Sequence, residues 1–400
     1  MMKKVLYGST ALLAAGMFTA AAEAATPLKL TVGGYLNAFM GYTDLSTKDF
    51  RDTIMQSSIN KFAVGTDGQI VFTADTKLDN GIKIGAVAEL NASSLQDIDY
   101  LGDVFVYAET KYGKMEMGAT DNAAVKMHHE VMDASGVWGT DKSKLVNWLG
   151  FADYINTTFN TAAAPTIDVN IGSFGLLDST AINEDGNAQK VSYFSPKFYG
   201  FQLGASYAPG PDSDGAGLFE TGAGSSNSTV VADVRKFNRA YSVSAAYDGK
   251  MGPVTLGADI AYGNLKPDNG KHINEYAAGL DVGFSGFKVG AGYKIRDYGT
   301  KRLKDSQAFD VGVGYKNGPY AISASWFMSK AGKIAGAKMP KLDIYQVSGS
   351  YKLGAGVSAF ATFGYADLNV KSLKELATAT GELIKDQDAW TVVTGLALTF

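Results

Sequence analysis

From Leu28 onward, apolar side chains alternate with polar or small ones over segments of about ten residues. In 275–284, Tyr276, Ala278, Leu280, Val282 and Phe284 fall on one face, with Glu275, Ala277, Gly279, Asp281 and Gly283 on the other. The next segment repeats the pattern: Phe287, Val289, Ala291, Tyr293 and Ile295 lie opposite Lys288, Gly290, Gly292, Lys294 and Arg296. A period of two is that of a pleated strand, and charges sharing a face with glycines make the two faces chemically distinct. One such hairpin fits a soluble sandwich as well as a barrel, because either architecture buries one face and wets the other.

The connections separate the two. About sixteen candidate strands are joined by links that alternate between short and long. The short set includes Asp79-Asn80-Gly81, Tyr112-Gly113-Lys114, Phe198-Tyr199-Gly200, Ser285-Gly286 and Lys316-Asn317-Gly318, rich in residues that tolerate positive φ. The long set lies near 44–66, 92–101, 122–189, 209–237, 264–273, 298–305, 330–341 and 369–387. A sandwich has no reason to keep that alternation; an outer-membrane barrel with short periplasmic turns and long extracellular loops does. The predicted fold is therefore all-β, a transmembrane antiparallel barrel. A stretch such as 166–172 could add a short strand and move the count toward eighteen. Tyr42, Tyr207, Tyr247, Tyr262, Tyr293, Tyr315, Tyr351 and Tyr365 sit toward segment ends, where an amphipathic ring meets headgroups.

Composition changes this picture little. Hydrophobic residues make up 46%, and beyond the first 25 residues no apolar run approaches the roughly 20 residues a spanning helix needs. Forty-seven Gly, 21 Tyr and 21 Phe against 9 Pro suit sheets and aromatic belts, and the absence of Cys removes disulfides and thiolate chemistry. Lys3 and Lys4, an apolar run from Val5, and Ala22-Glu23-Ala24 predict a signal peptide over 1–24, with a single barrel domain over 25–400. Losing that leader takes the formal charge from −4 to −5, with no basic patch for nucleic acid.

A pore needs polar side chains inside and a constriction. The glycine-bearing faces nominate Lys83, Glu89, Glu109, Lys111, Glu116, Asp259, Asp281, Lys288, Lys294, Arg296 and Asp310, of both signs; a solvated sheet face would also carry them. The connection 122–189 exceeds ordinary loop lengths and is the place for the constriction. It mixes Lys126, Glu130, Asp133, Asp141, Lys142, Lys144 and Asp153 with Trp138, Trp148 and Phe151, enough apolar surface to pack against a wall. A barrel hydrolase would need a catalytic histidine, and none of His128, His129 and His272 lies in an alternating strand beside a Ser or acid partner. The pair His128-His129 is a weak metal signal, and Gly312-Val313-Gly314 has no following helix to hold a phosphate. No catalytic residue, metal or cofactor is expected.

The mature chain resembles the Gram-negative general porins, especially the alphaproteobacterial kind. The resemblance rests on Leu30-Thr-Val-Gly-Gly-Tyr35, on the run from Lys190 through Pro196 and Gly200 to Tyr207, and on Trp390 to Phe400. It implies a sixteen-stranded barrel, a homotrimer, a third extracellular loop folded into the lumen opposite basic wall residues, and a terminal Phe400 read by the outer-membrane assembly machinery. The acidic, Pro-containing constriction motif of enterobacterial members is missing, so within that implied eyelet Asp133 and Asp141 stand as the acidic loop members and Lys83, Lys111 and Arg296 as wall partners. With Glu109, Glu116, Asp281 and Lys294 they make up the expected pore lining. The implied function is passive diffusion of small hydrophilic solutes and ions across the outer membrane, with lipid and lipopolysaccharide around the barrel. A substrate-selective channel, a hydrolase and a structural or adhesive barrel are the alternatives.

Overall fold

The structure, a computed structural model, describes residues 27–46, 61–92, 101–139, 145, 148–149, 176–183, 185–210, 237–267, 271–299, 305–332, 340–369 and 386–400. The expected signal peptide, Asp141 and the 166–172 stretch lie outside them.

Among the described residues sixteen strands form: β1 (Lys29–Leu45), β2 (Phe62–Lys77), β3 (Lys83–Asn91), β4 (Leu101–Thr110), β5 (Gly113–Ala119), β6 (Gln189–Phe194), β7 (Phe201–Ala208) and β8 (Phe237–Met251), then β9 (Val254–Pro267), β10 (Ile273–Phe284), β11 (Phe287–Asp297), β12 (Ser306–Asn317), β13 (Tyr320–Lys330), β14 (Lys341–Gly354), β15 (Val357–Asn369) and β16 (Gln387–Thr399). Each pairs antiparallel with the next, and β1 pairs with β16 from Tyr35↔Thr399 to Leu45↔Ala389, closing the barrel. Closure matters physically because an unpaired strand edge in hydrocarbon leaves backbone N–H and C=O groups with no partner. Phe400 completes the seam: its N–H donates to the Gly34 carbonyl at 3.1 Å, and its own carbonyl accepts from Gly34 at 3.0 Å.

The turns are chemically specified. Ser285 (φ 49°) and Gly286 (φ 89°) both take the left-handed conformation that a two-residue hairpin matching strand twist requires. Two turns sit differently from expectation. The β4–β5 turn is Lys111-Tyr112, with Gly113 already paired, and the β12–β13 turn is Gly318-Pro319. The strand pattern overrides the local glycine because pairing Thr110 with Gly113 keeps Tyr107 and Lys114 on the inner face.

The outer surface is apolar. Val64, Val106, Leu203, Ile260, Val289 and Ile322 are all well exposed, as lipid-facing positions must be. Two aromatic belts flank them. Toward the long-loop end, Tyr42 meets Trp390 at 5.5 Å, and Trp326, Tyr345 and Tyr365 follow one another at 6.3 and 6.2 Å. Toward the short-turn end, Phe201–Tyr247, Phe287–Tyr315 and Tyr320–Tyr351 pair at 4.7, 4.4 and 4.9 Å. The largest buried cluster lies inside the barrel, where Val137, Trp138, Leu145, Leu149, Leu176 and Leu177 of the β5–β6 connection meet wall residues including Phe39, Phe327, Leu342 and Phe360.

Candidate functional site

The β5–β6 connection turns into the lumen immediately after β5. Asn122 caps a short helix, α1 (Ala123–Lys126), accepting from the N–H groups of Ala124 and Val125, while its Nδ2 donates to the carbonyl of Ile182 at 2.8 Å. That bond ties the outgoing limb of the loop to the returning one. Below them Lys190 on β6 donates to the carbonyls of Thr120 and Gly186, so a fully buried ammonium closes the loop's neck.

The outgoing limb then crosses the wall strand by strand. The Ala123 N–H donates to Ser206 Oγ on β7 at 2.8 Å. The His129 N–H donates to Asp259 on β9 at 2.7 Å, and the His129 ring meets Asp281 on β10 at 2.9 Å. The Ala134 N–H donates to Ser323 on β13 at 2.8 Å, and Ser350 on β14 donates to the Ala134 carbonyl at 2.6 Å. Wall glycines make room for this path. A Cβ added to Gly279 would lie 2.7 Å from the His129 carbonyl, and one on Gly290 would lie 3.3 Å from Val131 Cα. The returning limb lies nearer the long-loop end: the Leu177 N–H donates to Ser329, Thr180 to Asp310, and Lys294 to the Ala181 carbonyl. At the far side the Phe39 ring meets Trp138 at 5.0 Å and Trp148 at 5.4 Å, and Trp148 donates to Thr391 on β16 at 2.9 Å.

Electrostatics sharpen the seating. His128 contacts Asp259 at 3.1 Å through Nδ1 and Thr180 at 3.1 Å through Nε2, bridging wall and returning limb. The hydrogen bond to Asp281 raises the His129 pKa above the usual 6.5, opposed by partial burial and helped by the charges of Asp259 and Asp248. The two rings go to carboxylates on different strands, and among the described residues no group of three or more His, Asp or Glu side chains could hold a metal ion.

Comparison with known proteins decides what such a barrel is. The Gram-negative porin family matches residues 9–371. The chain belongs to that family. An uncharacterized protein of Rickettsia conorii is 27% identical over 107 residues, 26% of this chain and 23% of that protein, and one of Rickettsia typhi is 24% identical over 156 residues, 38% and 34%. The chain thus spans only about a third or less of the curated relatives it matches. Among solved structures, the anion-selective porin of Comamonas acidovorans superposes with a TM-score of 0.57 at 13% identity, covering 93% of this chain and all of that one. An outer membrane protein of Vibrio cholerae solved in a trimer form gives 0.56 at 12%, covering 94% and 100%. At such identities they share the fold, that of a closed outer-membrane barrel.

The expected lining residues of this porin separate into two groups. Lys294 and Arg296, nominated as channel-lining cations, are 0% and 3% exposed: they lie beneath the loop, where Arg296 Nε donates to Glu275 at 3.0 Å. Asp281 is likewise covered, holding His129 and, at 3.2 Å, Lys288. Asp133 accepts from the N–H groups of Ser135, Trp138 and Gly139 and from the Ser135 hydroxyl, so its carboxylate shapes the loop's own turn. Asp281, Lys294 and Arg296 stand at the inward positions that alternation gave them, on strands the loop lies against, and alternation could not show what would lie on top; Asp133, expected as an acidic loop member, is spent on the loop's own fold. Lys83, Glu109, Lys111 and Glu116 lie on the other group of strands, β3–β5 with their turn. Lys83 is half-exposed, 3.6 Å from Asp75; Glu109 and Lys111 mark the short-turn rim; Glu116 is buried between two lysines. Sequence reasoning missed Asn122, whose only signal is an N-cap residue type before a short helix, and Ser206, Ser323 and Ser329, whose only signal is a small polar residue on an inner face.

Proposed function

We propose that this porin forms a water-filled channel through which small hydrophilic solutes and ions diffuse passively, narrowed between the seated loop and the wall of β2–β5. The observation that carries this is the one-sided seating: wall charges on β9–β12 are consumed by loop hydrogen bonds, while Lys83, Glu89 and Asp103 on β3 and β4 stay partly exposed on the inner face. Charge at the narrowest ring sets ion preference. Glu89 and Asp103 put two carboxylates on the open wall, with Thr120 donating to Asp103 at 2.5 Å, which favours a mild cation preference. Lys83, Glu109 and Lys111 line the path toward the short-turn mouth with Glu116 holding Lys114 and Lys126 beside it, and Asp133, Asp281, Lys294 and Arg296 position the loop that bounds it.

The protein assembles as a homotrimer in this reading, supported by the trimer form of the Vibrio cholerae relative in fold. Residues 1–24 direct export and 25–400 form the barrel. Phe400, paired at the seam and 62% exposed, is available to the assembly machinery, and lipopolysaccharide surrounds the outer leaflet. Planar-bilayer recording of the purified protein tests the reading: ohmic openings closing in three steps, with a small cation-directed reversal potential under a salt gradient, are expected. Folded barrels without conductance would overturn it.

A further inference from the structure

At the short-turn end of β4–β7 the inner wall carries a cavity of about 470 Å³, where Lys111, Lys114, Lys126 and Lys197 converge opposite Glu109 and Glu116. Lys114 comes from β5 and Lys126 from the end of α1, yet both ammonium groups end on one carboxylate. Lys114 Nζ lies 2.7 Å from Glu116 Oε1, and Lys126 Nζ lies 2.6 Å from Oε2. The Glu116 side chain is 3% exposed while those of Lys114 and Lys126 keep 36% and 24%, so the two lysines are more open to the cavity than the carboxylate between them. An aromatic ring lies against each cation: Lys126 Nζ stands 4.5 Å from the Phe105 ring centre and Lys114 Nζ 4.6 Å from that of Tyr107.

Four lysines face Glu109, Glu116 and, for Lys197, Asp248, which leaves one positive charge in excess, and each ammonium has three donors of which a single carboxylate oxygen takes one. Ring faces hold the cations in place but accept no full hydrogen bond. Lys111 stands on the turn beside this pair, and Lys197 stands at the rim, already 2.6 Å from the exposed Asp248. We infer that this cavity is an anion subsite at the periplasmic mouth, taking a small dianionic oxyanion of the phosphate class between Lys114 and Lys126. A tetrahedral oxyanion suits it because separate oxygens can accept from both ammonium groups at once, and charge-assisted bonds of this kind are the strong ones. The site lies nearer the short-turn end than Asp103, since Lys114 pairs with Glu109 while Asp103 meets Thr120, so a channel with a mild cation preference in its narrow part would still retain phosphate-bearing solutes at its inner end.

This inference rests on the channel reading, and the experiment separates them. The full-length barrel is recorded in a planar bilayer at about 0.1 M KCl, where ion pairing is only partly screened. Conductance before any addition tests the channel; inorganic phosphate, glucose 6-phosphate and glucose are then added in turn to each side. Current interruptions from one side, half-maximal at about 1 mM phosphate and absent with glucose, are expected. Interruption by glucose 6-phosphate as well identifies phosphate monoesters as ligands; interruption by inorganic phosphate alone restricts the site to the free ion. Lys114→Gln should weaken the effect about tenfold, whereas Glu116→Gln, which releases both ammonium groups, should strengthen it. Lys111→Gln, on the exposed β4–β5 turn, gives a milder loss. A conducting channel indifferent to phosphate at about 20 mM, or equally sensitive in Lys114→Gln and Glu116→Gln, would overturn the site. Should the barrel not conduct, phosphorus NMR titration of the detergent-folded protein decides the same question: line broadening lost in Lys114→Gln supports the site, and none in the native chain refutes it.

Discussion

The wall of β7–β14 and the wall of β2–β5 begin from the same sequence pattern and end with opposite roles. Both alternate apolar residues outward with small or charged residues inward. On β7–β14 the inward set is dominated by Gly, Ser and Ala with a few charges, and the loop lies directly against it: Lys294, Ser323 and Ser329 are each 4% exposed or less. On β2–β5 the inward set keeps larger side chains, Gln69, Lys83, Glu89, Phe105 and Lys114, which leave no bed for a backbone and remain at least partly exposed. Side-chain volume on the inner face, more than charge, divides the seat from the open wall.

That contrast can be broken most severely where the seat is best packed. Trp138→Ala removes a 1% exposed ring from the cluster around Phe39 and should cost about 3–5 kcal/mol, read as faster protease cleavage within the loop of otherwise intact barrels. Lys294→Met leaves Glu275 buried with Arg296 alone and deprives the Ala181 carbonyl of its donor; a loss of about 3 kcal/mol is expected in the same assay. If either variant leaves the loop as resistant as before, the seat is not what holds it. Gly279→Ala places a methyl 2.7 Å from the His129 carbonyl and should loosen the limb by about 1–3 kcal/mol, visible as noisier or larger single-channel current.

The His129–Asp281 pair gives a smaller, pH-dependent term. Because the hydrogen bond to Asp281 raises the histidine pKa in the folded state, its contribution is complete below the usual value of 6.5 and is lost as pH rises through the raised one. Loop protection should therefore fall between that value and mildly alkaline pH, and His129→Gln should flatten the profile; an unchanged slope would remove His129 from the latch. The smallest stability effect belongs to the open wall. Lys83→Gln, at a half-exposed pair 3.6 Å from Asp75, should change stability by less than about 0.5 kcal/mol yet move the reversal potential toward cations.

Much of this was legible in the sequence. Alternation in Glu275–Phe284 and Phe287–Asp297 gave the faces correctly, and the short-long rhythm of connections matches the sixteen observed strands. Turn placement was legible to within a residue or two, since Gly113 and Gly318 are compatible with more than one register. The membership of the site was not. Nothing local distinguishes Lys83, which keeps an exposed side chain, from Lys294, which is sealed under Ala181, because both stand at inward positions among glycines.

The residues alone determined the barrel: period two selects strands, hydrocarbon demands closure, and an apolar outer face with aromatic ends fixes the orientation of each strand relative to lipid. Only the tertiary structure decided which arc of the wall the loop would occupy. That choice depends on contacts separated by as many as 243 residues, such as Trp148 with Thr391, and on the summed inner-face volume of strands that no single segment contains. A charge at an inward position becomes a loop anchor or stays open according to what covers it, and covering is a property of the assembled barrel.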